Sequence, residues 1–208
     1  MAEGRGEGVR KGVRRVVVAL LVPVPWSPPG ADRAAWRTAM AEDVVDLLAR
    51  LAQAEPAIAA VPADRVLAEQ IAWPGMRIYD VPTATVRPVL AAAASDGFDQ
   101  AAVIAADAAD VPGMILGKLL RPLEKKAVAA APCGPAGLLG VAARLPAPEW
   151  LADHDLDTAT PMSLRQGAPQ PSAVESTPEW HRLRGPADLG ALDPALEGWE
   201  NTRALLGG

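Results

Sequence analysis

At 208 residues the chain is sized for one domain of ordinary dimensions, or for one domain with a tail. Half of it is hydrophobic, enough for a sizeable core, and a net charge of -5 argues against a nucleic-acid protein held by clustered positive charge. No stretch approaches the roughly 20 apolar residues of a membrane span, and the lone Cys133 cannot form an internal disulfide, so a cytoplasmic protein is expected.

Residues 1–14 read as a disordered leader. Glycines 4, 6, 8 and 12 lie there beside the basic run Arg10, Lys11, Arg14 and Arg15. A single α/β domain is expected over 15–208. Val16 to Val22 is a continuous Val/Leu run, as for a strand buried on both faces. Pro23 to Gly30 is a Pro-rich loop. Asp32 caps a helix expected to run to about Ala54, because Trp36, Met40, Val44, Leu47, Leu48 and Leu51 form one stripe of a 3.6-residue period. A strand over Ala57 to Val61, a short helix over Asp64 to Ile71 and a strand over Arg77 to Val81 follow. A helix over Thr83 to Ser95 is stopped by Asp96-Gly97.

Gln100 to Ala106 is the next buried strand, followed by the turn Asp107 to Pro112 and a helix over Gly113 to Leu120. Ala127 to Ala131 is a strand, and the Gly/Pro segment Pro132 to Gly137 leads into Leu138 to Ala142. After Trp150 the texture changes: Asp153 to Thr158 is acidic, 166–177 is a Pro/Ser/Gln-rich excursion, and a last helical stretch covers Pro194 to Leu206. Strands alternating with helices at these lengths imply βαβ units. The expected fold is a three-layer, doubly wound α/β structure on a mostly parallel sheet. Ligands of such sheets bind outside the carboxyl ends of the strands.

That rule singles out two loops, 23–30 and 107–112. Asp107 and Asp110, just past a buried strand, are candidate catalytic carboxylates. Asp107 could hold a hard divalent cation, which takes oxygen ligands; either acid could instead cap the following helix. Trp26 could stack on a base or cover the core. Arg33 and Arg37, one turn apart at a helix start, could face an anion or simply be solvated. Gly134 and Gly137 could let backbone approach a ligand, or merely turn the chain. His154 sits among acids, His181 beside Arg182 and Arg184, and Cys133 has no evident base partner.

The order of segments resembles the small glycosyltransferase-A-like nucleotidyltransferases, the group of 2-phospho-lactate guanylyltransferase and a related transferase-like family. The resemblance runs from about Val16 to Leu192. Val103 to Pro112 looks like that family's Gly-Thr-Asp-Cys-Pro-Asp-Leu turn, with both acids kept. Thr83 to Arg87 is similar to the family's Gln…Gly-x-Arg-Met helix. Pro132 to Gly140 is similar to its Pro-Ala-Glu-Asp-Gly-Gly segment, and Arg182 to Leu189 to its Asp-Val-Asp-Thr-Pro-Glu-Asp-Leu segment.

The resemblance implies a nucleotide or nucleotide-sugar ligand, Mg2+ or Mn2+ on Asp107 with Asp110 in support, and phosphate contacts from Arg33, Arg37, Arg87 and Arg184. The chain departs from the family pattern in three places. The N-terminal loop lacks the phosphate-gripping lysine. The acid of the Gly-Gly segment is replaced around Gly134 and Pro135. Arg184 stands where a late metal-binding Asp is expected, and there it could pair with Asp107 or bind phosphate directly. Two readings follow: a divergent nucleotidyl- or glycosyltransferase-like protein, or a catalytically degenerate relative acting as a binding or scaffold protein. The Ala-rich helices and scattered Trp permit a homodimer.

Overall fold

A computed structural model describes residues 12–134 and 137–207. Most of the expected 1–14 leader lies outside the described residues. Arg14 does not belong to a leader: its backbone N–H donates to Asp99 Oδ2 at 2.7 Å, and its guanidinium lies 4.4 Å from the centre of the Phe98 ring.

Among the described residues seven strands form one sheet: β1 (Arg15–Leu20), β2 (Glu55–Ala60), β3 (Arg77–Asp80), β4 (Gln100–Ala105), β5 (Val128–Pro132), β6 (Leu138–Arg144) and β7 (Val174–Ser176), in the order β3-β2-β1-β4-β6-β5-β7. β6 is antiparallel to both of its neighbours, and the remaining pairings are parallel. The alternation within β1 explains the layers. Val16, Val18 and Leu20 join one buried cluster, which contains Val86, Val89 and Leu90. Val17, Ala19 and Leu21 join a second, which contains Val44, Leu48, Leu116 and Leu119. Side chains of a strand alternate between faces, so a run that is apolar throughout must be covered on both. Each fully buried Val or Leu contributes about 1.5–3 kcal/mol.

The covering helices are α1 (Arg33–Ala49), α2 (Arg65–Ile71), α3 (Val86–Ser95), α4 (Gly113–Leu120), α5 (Pro161–Gln166) and α6 (Glu200–Leu205). Asp32 caps α1 as expected, accepting from the Ala35 N–H at 2.9 Å. α1 stops at Ala49, not at Ala54, because the chain must turn back to enter β2 at Glu55. α3 starts at Val86 rather than Thr83. Its orphan N–H at Arg87 is capped from far away, by Asp153 Oδ1 at 3.0 Å.

The late part of the chain is more ordered than its composition suggests. Within 166–177, Val174–Ser176 is an edge strand paired with β5. The last helix is shorter than the expected 194–206, because Gly198 adopts a left-handed φ of 97° ahead of Trp199. α6 packs on α1, and a third cluster unites Trp36 and Met40 of α1 with Val24, Ala109, Leu183 and Trp199. Trp199 is thereby buried against α1.

Asp43 fastens this closure. It is buried on α1 and accepts from the backbone N–H groups of Asn201 at 3.0 Å and Thr202 at 2.8 Å, at the start of α6. Burial raises its pKa, and those hydrogen bonds oppose the rise. Asp43→Ala is expected to lower stability by about 1–3 kcal/mol, the cost of stranding buried donors. Urea denaturation checks the loss, and a variant within experimental error of the parent would remove Asp43 from this role.

Candidate functional site

β1 lies between β2 and β4, the place where the order of strands reverses direction along the chain. The segments that follow β1 and β4 thus meet at the carboxyl ends of their strands, where an open sheet makes its crevice. β4 is buried throughout, and Asp107, just past its end, is completely buried as well.

A carboxylate there needs a partner, since an isolated buried charge is strongly disfavoured. The partner is Arg182. Its Nε donates to Asp107 Oδ1 at 2.6 Å and its Nη2 to Oδ2 at 2.9 Å, a two-pronged match of planar groups. Arg182 Nη2 also donates to Asp157 Oδ1 at 2.8 Å, and its Nη1 to the main-chain carbonyls of Leu138 at 3.3 Å and Leu156 at 3.2 Å. The guanidinium is 1% exposed. Burial disfavours its charge, but Asp107 and Asp157 outweigh burial and raise its pKa, so it stays an arginine cation.

Arg184 arrives beside it. Its Nη1 lies 3.3 Å from Asp107 Oδ2 and also contacts Asp157 Oδ1. Residues two apart on an extended segment share a side, which is why Arg182 and Arg184 both turn inward. Backbone hydrogen bonds from Trp180 to Pro132 and from Leu183 to Asp107 lay that segment across the strand ends. Two carboxylates and two guanidinium groups thus balance within one small volume.

Asp110 has a different neighbourhood. Its Oδ1 accepts from the Trp180 indole N–H at 3.2 Å and lies 2.8 Å from His181 Nε2, while its buried Oδ2 has no hydrogen-bond partner. The Trp180 and His181 rings are stacked with centroids 5.0 Å apart. Cys133 offers no activated nucleophile, because burial pushes its thiol pKa up.

The other candidates disperse. Trp26 stands edge-on to Trp36, with ring centroids 6.2 Å apart, and packs on the third cluster instead of lining an open crevice. Arg37 is held by Asp64 at 2.6 and 2.7 Å and by the Val22 carbonyl, which leaves it no prong for a phosphate. Arg87 clamps the carbonyls of Glu149 and Leu151. Gly134 is exposed with open space where a side chain would start. Gly137, at a φ of 97°, does allow a close approach, but the neighbour is the chain itself: an added Cβ would stand 3.2 Å from the Leu156 and Asp157 carbonyl oxygens. Arg33 is exposed on the first turn of α1.

These residues do not fit a divalent metal on Asp107. Both of its oxygens already bind a cation, and among the described residues no group of three or more His, Cys, Asp or Glu side chains converges. Arg182 and Asp157 are the participants that sequence reasoning passes over. The signal was present in the Arg-Leu-Arg spacing of 182–184 and in the acidic stretch 153–158.

No protein-family model matches the sequence, and no curated protein matches it. Solved structures do match in shape. A Desulfovibrio desulfuricans G20 protein assigned as a nucleotide-diphospho-sugar transferase superposes with a TM-score of 0.63 at 18% identity, covering 94% of this chain and 98% of that one. The 4-diphosphocytidyl-2C-methyl-D-erythritol synthase of Anaerococcus prevotii DSM 20548 gives 0.60 at 9% identity, covering 93% and 96%. Glucosyl-3-phosphoglycerate synthase of Mycobacterium tuberculosis, solved with Mn2+, uridine diphosphate and phosphoglyceric acid, gives 0.52 at 14%, covering 93% and 77%. The chain therefore shares its fold with these transferase structures. Among the described residues no helix is long and apolar enough to cross a membrane.

Proposed function

We propose that this chain is a divergent transferase-like protein that binds a nucleotide or nucleotide sugar at the carboxyl end of its sheet without a divalent cation on Asp107. The carrying observation is that Arg182 takes both oxygens of Asp107 while Arg184, at the same carboxylate, keeps 27% of its side chain exposed. In this reading Asp107 and Asp110 are positioning residues: Asp107 holds the arginine pair, and Asp110 holds Trp180 and His181. Arg184 and the exposed Arg33 are the cations assigned to meet phosphate; Arg37 is held by Asp64, and Arg87 Nη1 by the Glu149 and Leu151 carbonyls. Shared fold supports the ligand class only by analogy.

Calorimetric titration with GTP, CTP, UTP and ATP, with and without Mg2+, is the test. Binding of at least one nucleotide, unchanged by Mg2+ and weakened at least about tenfold in Arg184→Ala, is expected; tenfold corresponds to about 1.4 kcal/mol. Binding that requires Mg2+ would overturn the cation-free assignment. The second reading is a catalytically degenerate relative with a binding or scaffold role. It is favoured by the way Trp26, Leu183 and Trp199 fill space at the strand ends, and absence of binding by all four nucleotides under both conditions would decide for it.

A further inference from the structure

The oxygens around Arg182 form a set with its own chemistry. Asp107 Oδ2 and Asp157 Oδ1 come from separate segments, yet both bond the same nitrogen, Arg182 Nη2, at 2.9 and 2.8 Å. Both also contact a single nitrogen of Arg184. Two carboxylate oxygens that share one donor nitrogen face the same small volume. The Leu138 and Leu156 carbonyls complete the surroundings of the Arg182 guanidinium. All of these acceptors are hard oxygens, the ligand type that Mg2+, Mn2+ and Ca2+ select.

We infer that Arg182 and Arg184 act as a tethered substitute for a divalent cation, and that the Asp107–Asp157 pair becomes a cation site when they are removed. Two guanidinium charges match the charge of one divalent ion and leave the same two carboxylates neutralised. Because they are covalently part of the 178–184 segment, they also pin that segment over the strand ends, which a free ion cannot do. The inference rests on the cation-free reading above and adds a statement about why that reading holds.

The test uses the full chain and Mn2+ alone, followed by electron paramagnetic resonance and by thermal melting. The parent protein is expected to leave the free-Mn2+ signal undiminished and to melt at the same temperature with or without the ion. Arg182→Ala/Arg184→Ala is expected to melt lower, to regain at least half of the lost temperature in Mn2+ but not in NaCl of equal ionic strength, and to deplete the free-Mn2+ signal. Adding Asp157→Asn should abolish the uptake. A double variant that folds without taking up Mn2+, or one that Mn2+ fails to refold, overturns the inference. These outcomes leave the cation-free reading standing, whereas Mg2+-dependent nucleotide binding by the parent overturns that reading by itself. Uptake of Mn2+ by the parent at Asp107, seen as a signal lost in Asp107→Asn, overturns both.

Discussion

Arg182→Leu is expected to cost about 3–5 kcal/mol of folding free energy, the usual result of removing one member of a buried ion pair. The cause is Asp107, which is 1% exposed in its side chain and would be left facing a leucine. Arg184 compensates poorly, because it reaches only Oδ2 at 3.3 Å. The loss is a large share of a typical 5–15 kcal/mol total stability, so it should be measured by urea unfolding at low temperature. The informative companion is Asp107→Leu/Arg182→Leu. An apolar pair of similar bulk leaves no stranded charge, and Asp157 and Arg184 still neutralise each other. The double variant should therefore recover most of the loss, a strongly non-additive cycle. If Arg182→Leu unfolds within about 1 kcal/mol of the parent, the ion pair does not organise the strand ends.

Gly140→Ala should be nearly as damaging, at about 3 kcal/mol, the upper end of ordinary overpacking costs. Gly140 lies in β6 opposite Ile104 of β4. A Cβ built on it would stand 2.5 Å from the Val103 carbonyl oxygen and 2.8 Å from Ile104 Cγ2. A side chain can rotate away from such a clash, but a backbone oxygen in the middle of a ladder cannot move without breaking the pairing. Gly134→Ala is the control, with open space around it and only the left-handed φ of 62° to accommodate, about 1–2 kcal/mol. Circular-dichroism melting of the two variants compares them. Equal melting temperatures would show that β4 and β6 separate more easily than their register implies.

Much of the fold was readable because its signals are local. After their first residues, Arg15 and Gln100, β1 and β4 are runs of Val, Leu, Ile and Ala with no polar interruption, and α1 carries both an apolar stripe and its own cap at Asp32. The elements that were misread depend on distant residues. β7 is only Val-Glu-Ser, and it is a strand because β5 offers it an edge. The start of α3 is set by Asp153, which no window around Val86 contains. The same division runs through the site. Asp107 could be placed at a strand end from its neighbours, but its principal partner lies 75 residues later and is chosen by the path of the 178–184 segment. Arg37 and Arg87 looked available for phosphate only because Asp64 and the Glu149 and Leu151 carbonyls were out of view.

The pairing of Asp107 with Arg182 also bears on how the molecule is made. β4 and its carboxylate leave the ribosome well before the residues that neutralise them, and the Asn201–Thr202 donors reach Asp43 across 158 and 159 residues of chain. Until the C-terminal segment is synthesised, the growing chain carries an unmatched acid at the end of its central strand and a bare apolar face on α1. Contacts this remote slow the search for the native state and prolong exposure of sticky surface. The final acquisition of structure is thereby tied to synthesis of residues 180–202, so that a product ending before Trp180 would present to chaperones and proteases the very groups that those residues conceal.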